Sequence, residues 1–364
     1  MKLSITGLSN SGKTTLFNAL TGKNLETTSY PSKEESPHFG IVKVPDYRIE
    51  KLAEIFKPKK ITHAFIEYID YAGINIKDTT HNSKVIEQIK DADAILHAVR
   101  AFEDLSIQHP IDDINPLRDI RIFESEILFH DFELVDKRIE RINEAQKKGK
   151  KSDEAEKKLL AKCKQALEAD IPLRKIIFSE DEEKIMRHLQ LITIKPEIVV
   201  LNIAEKDINS KKIKVLQDEI ESYYSQKGFP EKVKVLNLCG IIEMEIAQLE
   251  SSDTKAFLDD LGLQEPAMHR LIKLSYDLLG LISFITIDNE LKAWTVKKGI
   301  NAYKAAGKVH TDIERGFIRA EVINYNDFIS CGSMSVAKDK GLVRLEGKTY
   351  EVKDGDIIYF RFNI

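Results

Sequence analysis

Residues 7–14, GLSNSGKT, constrain the fold of this chain more tightly than any other stretch. They fit G-x-x-x-x-G-K-[ST] in full, follow the apolar run LSIT (3–6) and lead into the helical pattern TLFNALTG (15–22). Strand, glycine-rich turn and helix in that order form a phosphate cradle, a P-loop. The glycines let backbone N–H groups turn inward, and they do so at the positive end of a helix dipole. In this reading Asn10, Ser11, Gly12, Lys13, Thr14 and Thr15 line the phosphates. Lys13 reaches the β- and γ-phosphates, and the Thr14 hydroxyl takes a Mg2+ coordination position.

Further short apolar runs predict the sheet that such a turn requires. IEYID (66–70), AILHAV (94–99), IVVL (198–201) and VKVLNL (233–238) are apolar on both faces, as in a parallel sheet covered by helices, and GIVKVP (40–45) is expected beside IEYID. Asp70 ends one of these runs and Gly73 follows it, giving D-x-x-G. One strand downstream of a P-loop, the Asp holds Mg2+ through water and the Gly amide senses the γ-phosphate. Taken alone, an Asp after a strand is also an ordinary helix cap.

Three domains are expected within the 364 residues. Residues 1–120 and 190–280 read as the α/β P-loop domain. Between them, 121–189 is charged and almost free of turn residues. Leu128, Phe132, Val135, Ile139 and Ile142 form one helical stripe, KKGKKS (147–152) breaks it, and Leu159, Cys163, Ala166 and Leu167 return. That is an antiparallel helical hairpin inserted in the domain, with a Lys-rich tip that either meets a phosphate backbone or is simply solvated. From 281 to 364, ISFITIDNELKAWTV and KTYEVKDGDIIYFRF each read as two strands around a polar turn, with a helix near 299–306, a small mixed β domain.

Composition excludes several classes. A net charge of −4 gives no global nucleic-acid or membrane signal. The three cysteines have no metal-ligand or C-x-x-C spacing, no His pair suits zinc, and the longest apolar run, LLGLISFITI (278–287), is far short of a bilayer span. With no secretory pattern at the N-terminus, the expected location is the cytoplasm.

In IVVLNIAEKD (198–207), Asn202 ends a buried run where guanine readers carry Asn-Lys-x-Asp, but Ile203 replaces the Lys and Glu205 the Asp. An Asp there accepts from guanine N1–H and the exocyclic amine; adenine offers neither, and a longer Glu places its carboxylate elsewhere. The residues alone fit an altered guanine reader, a reader of another base, or a plain strand end.

The P-loop, SYP (29–31), VPDYRIEKL (44–52), DADAILHAVRAFED (91–104), LITIKPEIVVLNIAE (191–205), WTVKKG (294–299), AAGKVHTDIERGFIRAEVI (305–323) and LEGKTYEVKDGDIIYFRFN (345–363) together resemble the YchF family, the Obg-like ATPases within the translation-factor-related GTPase class. The resemblance implies a C-terminal ubiquitin-like β-grasp (TGS) domain and binding of ATP at least as readily as GTP. It places Asn202 and Glu205 at the base, with Leu238, Cys239 and Gly240 as the other wall of its pocket. It also implies a ribosome or RNA partner. Ile74 stands where classical GTPases carry a water-orienting Gln, and the resemblance assigns that help to His109. Asn10 matches the Asn of potassium-stimulated relatives, or else only stabilises its turn. Both switches depart from the family pattern. Glu34 occupies the position of a Thr that binds Mg2+ and γ-phosphate, and INIKDTTHNSK (74–84) lacks the family's glycines and is shorter. A carboxylate at Glu34 repels a γ-phosphate, so hydrolysis is expected to be slow, or absent in a nucleotide-gated binding protein.

Overall fold

A computed structural model describes residues 1–26, 36–149, 153–226, 228, 232–288 and 290–363. Their strands, in chain order, are β1 (Lys2–Thr6), β2 (His38–Lys43), β3 (Lys60–Thr62), β4 (Phe65–Asp70), β5 (Ala94–Ala101), β6 (Glu197–Ile203), β7 (Val233–Leu238), β8 (Leu281–Ile287), β9 (Glu290–Lys297), β10 (Phe317–Asn324), β11 (Arg344–Glu346) and β12 (Asp356–Phe362). They form two six-stranded sheets, ordered β2-β4-β1-β5-β6-β7 and β11-β10-β12-β8-β9-β3. Contacts divide the chain into two units, Met1–Ile41 with Glu67–Met268, and Val42–Ile66 with His269–Ile364.

In the first unit β1 pairs in parallel with β4 and β5, and β6 with β5 and β7, as the two-faced apolar runs predict. Every residue of β6 is buried, which requires cover on both faces. The register sets Ile5 beside both Asp70 and Leu96, and Arg100 beside Asn202. The carboxyl ends of β1, β4 and β6 therefore meet at one edge of the sheet, where an open α/β sheet binds its ligand.

The helices that matter here are α1 (Lys13–Thr21), α2 (Tyr47–Phe56), α3 (Thr79–Ile89), α4 (Pro116–Lys147), α5 (Glu154–Glu168), α6 (Glu180–Leu189), α7 (Lys211–Gln226) and α8 (Gly240–Gln248). The expected stripes of α4 and α5 meet: Leu128, Val135 and Ile142 share a core with Leu159, Cys163 and Leu167. Arg138 bonds Glu156 at 2.8 Å and Gln146 bonds Glu154 at 3.2 Å, so the two helices run antiparallel. Helix α6 adds Met186 to the same core. Residues 150–152 of the hairpin tip lie outside the described residues.

A buried charge cluster anchors the insertion to the sheet. Arg174, in the short 3-10 turn after α5, pairs with Glu197 of β6, and Glu197 also bonds His97 Nδ1 of β5 at 3.0 Å. All three side chains are almost completely buried. Asp131 of α4 completes the anchor by accepting the Thr193 amide at 2.7 Å and the Ile192 amide at 3.1 Å.

In the second unit β8 and β9 form the expected hairpin, and a helix covers Ala302–Val309. Its core joins Ile282, Phe284, Val296, Ala306, Val322 and Phe360. The expected strand over KTYEV does not form. Instead Ala302 N bonds Tyr350 O at 2.8 Å and Val352 N bonds Ile300 O at 2.9 Å, so this backbone is satisfied by the start of the neighbouring helix. The strand before β12 is the short β11. Residues 42–66, which the sequence reading leaves with the P-loop domain, belong to this second unit. Helix α2 buries Ile49 and Leu52, Phe56 stacks on Phe328 at 5.2 Å, and Arg48 bonds Asp46 and Asp354, each at 2.8 Å.

Glu197 yields a stability prediction. Burial alone would raise its carboxyl, but the Arg174 guanidinium, seconded by His97, holds it at about 2 against an ordinary 4.5. A folded value below the unfolded one stabilises the protein above about 4.5, and that contribution is lost as pH falls through about 2. Glu197→Gln leaves Arg174 buried without its counter-charge and is expected to cost about 3–5 kcal/mol. Urea unfolding at neutral pH measures the cost, and the variant should show a flatter pH dependence across the same acid window.

Candidate nucleotide-binding site

The P-loop is held open by its own backbone. Gly7 has φ +145° and Gly12 has φ +89°, in the region that favours glycine. A Cβ on Gly7 would lie 2.3 Å from the Ala98 carbonyl oxygen, and one on Gly12 2.1 Å from Asn202 Nδ2. The loop is stitched to the D-x-x-G segment: Ile74 N bonds Gly7 O at 2.9 Å and Ser9 N bonds Ile74 O at 3.1 Å. Asn10 stands at φ +62° and donates Nδ2 to the Gln108 carbonyl at 2.9 Å.

Four of the expected phosphate and metal residues converge. Lys13 Nζ donates to the Leu8 carbonyl at 2.9 Å, inside the curve of the loop. The Thr14 hydroxyl donates to Asp70 Oδ2 at 2.8 Å, and Asp70 is buried. A hydroxyl and a carboxylate from adjacent elements form a hard oxygen donor pair that suits Mg2+ rather than a softer ion. Gly73 closes against Lys13 and the P-loop backbone, since a Cβ there would meet Lys13 Nζ and Ser9 Cα at 2.7 Å each. The expected chemistry at these positions fits the groups present.

At the base end, Asn202 joins three elements. Its Nδ2 donates to the Ser11 carbonyl at 3.2 Å, and its Oδ1 accepts the Gly240 amide at 3.0 Å. It thereby holds the P-loop to the first turn of α8. Leu238 and Cys239 are buried beside it, and burial pushes the Cys239 thiol up. The Thr15 methyl lies 3.2 Å from where a Gly240 Cβ would be. Ile203, at the GTPase lysine position, is buried in the core cluster around β6 and β7. Glu205 is exposed and opens a 3-10 turn, Glu205–Asp207.

His109 is placed differently from a residue poised over a nucleotide. It is buried, its Nε2 donates to Asp119 Oδ2 at 2.9 Å, and its Nδ1 accepts the Ile111 amide at 3.1 Å. Asp119 is fixed in turn by Arg118 at 3.0 Å. Arg100 shapes the same loop, donating to the carbonyls of Phe102, Asp104 and Ile107 at 3.0–3.2 Å. Sequence reading misses Arg100 and Asp119 because neither belongs to a nucleotide motif. The only hint is an Arg within an apolar strand, which must satisfy several acceptors when buried. Glu34, with Ser32 and Lys33, lies outside the described residues.

Fold and cradle define a P-loop nucleotide-binding protein of the GTPase class. A family model described as 50S ribosome-binding GTPase matches residues 2–203, and the YchF-GTPase C-terminal model, described as a protein of unknown function, matches residues 281–363. The chain is 41% identical to the ribosome-binding ATPase YchF of Bacillus subtilis over 99% of this chain and 98% of that one. It is 38% identical to the ribosome-binding ATPase YchF of Haemophilus ducreyi, over 100% and 99%. The solved structure of the Schizosaccharomyces pombe YchF GTPase superposes with a TM-score of 0.81 at 27% identity, covering 99% of this chain and 97% of that one. The chain belongs to the YchF family.

The Asn202 bridge is testable by a double-mutant cycle. Asn202→Ala strands the Ser11 carbonyl and the Gly240 amide and should cost about 1–3 kcal/mol. Gly12→Ala should be worse in the wild-type chain than in the Asn202→Ala background, where the clash is gone and only the left-handed backbone penalty remains. Thermal or urea unfolding of the four proteins reads the coupling.

Proposed function

We propose that this chain is a Mg2+-dependent, ATP-preferring phosphohydrolase of low turnover, whose nucleotide state governs association with the ribosome. The observation that carries the reading is the 2.8 Å contact between Thr14 and Asp70 at the head of the Lys13-bearing loop. Lys13 and the loop amides hold the phosphates, Thr14 and Asp70 the metal, and Asn202 the edge of the base. Bound Mg2+ neutralises charge on the β- and γ-phosphates. Preference for adenine is supported by the buried Ile203, which leaves no lysine stem over the base, and by the exposed Glu205. Ribosome binding is supported by the names of the bacterial relatives. We read the second unit as the TGS module that contributes to that binding, with the inserted hairpin as a further contact. A cytoplasmic location is consistent with this: among the described residues no helix is long and apolar enough to cross a membrane.

Low turnover follows from the placement of two groups. Ile74 is fully buried and locked to Leu8 by a β-bridge, so it orients no water. His109 serves as the water-positioning group only after leaving Asp119 and the Ile111 amide. That same engagement favours a second reading, a nucleotide-gated adaptor with negligible hydrolysis. A potassium ion held through Asn10 belongs to the hydrolytic reading, in which K+ speeds release over Na+.

Calorimetric titration of ATP and GTP with Mg2+, followed by phosphate release in the same samples, decides among these. The expected result is tighter ATP binding, slow release that falls at least tenfold in His109→Ala with binding retained, and no binding in Lys13→Ala. Tight binding with no release in the wild-type chain would establish the adaptor instead. A clear GTP preference would overturn the reading of Glu205.

A further inference from the structure

The loop after Asp70 is gripped by the first turn of α3. Asp78 caps that helix by accepting the His81 amide at 2.9 Å. Helical side chains tilt toward the helix N-terminus, so the third and fourth residues of α3 reach back over the preceding loop. His81 Nε2 lies 3.0 Å from the Gly73 carbonyl oxygen. A carbonyl only accepts, so this nitrogen carries the proton. The next residue, the buried Asn82, accepts the Asn75 amide at 2.8 Å and donates to Glu126 of α4 at 3.2 Å. His81 is only half-buried and is not needed to fill a core.

In the nucleotide-binding reading Gly73 is the residue whose amide senses the terminal phosphate, and its surroundings leave no room for a side chain: a Cβ would meet Lys13 Nζ and Ser9 Cα at 2.7 Å. The same lack of a side chain leaves its backbone torsions soft. We propose that His81 is a positioning residue for γ-phosphate recognition. By donating to the Gly73 carbonyl it fixes the peptide on one side of Gly73, so that the amide on the other side is already directed at the terminal phosphate. In a second switch without the flexible glycines of the family pattern, this contact makes the loop pre-organised rather than ordered by the ligand. The inference rests on the nucleotide-binding reading above. Its specific consequence is discrimination between nucleoside tri- and diphosphate, since only the former presents a γ-phosphate to Gly73.

The test compares full-length wild type, His81→Ala and His81→Gln by calorimetry with Mg2+ and either a non-hydrolysable ATP analogue or ADP. His81→Ala should weaken analogue binding about five- to tenfold, roughly the worth of one hydrogen bond, while ADP affinity stays within about twofold. His81→Gln keeps a side-chain N–H donor and should regain most of the lost discrimination. A purely structural role would lower both affinities together with the melting temperature. Equal weakening of both nucleotides, no change in either, or a Gln variant indistinguishable from Ala would each overturn the proposal. If wild type binds neither nucleotide, the nucleotide reading itself fails; if it discriminates and His81→Ala discriminates equally, only the role of His81 fails.

Discussion

The Asn202 carboxamide is the contact on which the rest of the site depends. A P-loop needs successive amides turned inward, and that conformation leaves carbonyls turned outward that require partners. Asn202 supplies one to Ser11 and, with its other face, receives Gly240 at the start of α8. One side chain at the end of β6 thus fixes the P-loop against the first turn of α8. It also explains the glycine at position 12, because a Cβ there would strike the same amide. The P-loop and the start of α8 come from opposite ends of the first unit's sequence, and a buried carboxamide, with its donor and its acceptor on separate atoms, can join them.

The inserted hairpin is joined to the same sheet by ionic groups rather than by apolar packing alone. Arg174, Glu197 and His97 lie in the interior, where an unpaired charge is costly and a paired one is specific about geometry. Glu197 sits at the start of β6, the strand whose other end carries Asn202. Asn82, in the first turn of α3, also donates a hydrogen bond to Glu126 of α4. The insertion therefore contacts the sheet at the start of β6, at the opposite end of that strand from Asn202.

Much of this was legible in the sequence. Two-faced apolar runs located the first sheet, and the stripes from Leu128 to Ile142 and from Leu159 to Leu167 located the antiparallel helices, because burial dictates periodicity directly. The cradle was legible because its chemistry demands particular letters at particular spacings, and Lys13, Thr14, Asp70 and Gly73 do converge. What escaped was set by long-range hydrogen bonding, which has no period. Nothing local marks Asn202 as a bridge between residues 11 and 240, or joins residues 42–66 to the C-terminal unit through Arg48 and Asp354. The strand expected at KTYEV failed for a related reason: its alternation is right, but its backbone partners are the turn before a helix.

Binding and turnover make different demands on such a site, and this chain separates them. Holding a triphosphate needs backbone amides, one lysine and a metal with its oxygen ligands, all placed before the ligand arrives. Cleaving it needs a water held in line, which the protein supplies through groups that are free to move into register. In this structure the protein groups of the first set, Lys13, Thr14, Asp70 and Gly73, lie together, while Ile74 and His109 are engaged elsewhere. Ile74 is paired with Leu8, and His109 is bonded through one nitrogen to the Ile111 amide of its own loop and through the other to Asp119 in the first turn of α4. Were His109 to position that water, the step would include the free energy of releasing it from Asp119, a buried contact to an acceptor that Arg118 holds in place. The loop from Phe102 to Ile111 is also tied to the phosphate cradle, because Asn10 donates to the Gln108 carbonyl, so a disturbance of His109 would reach the P-loop as well.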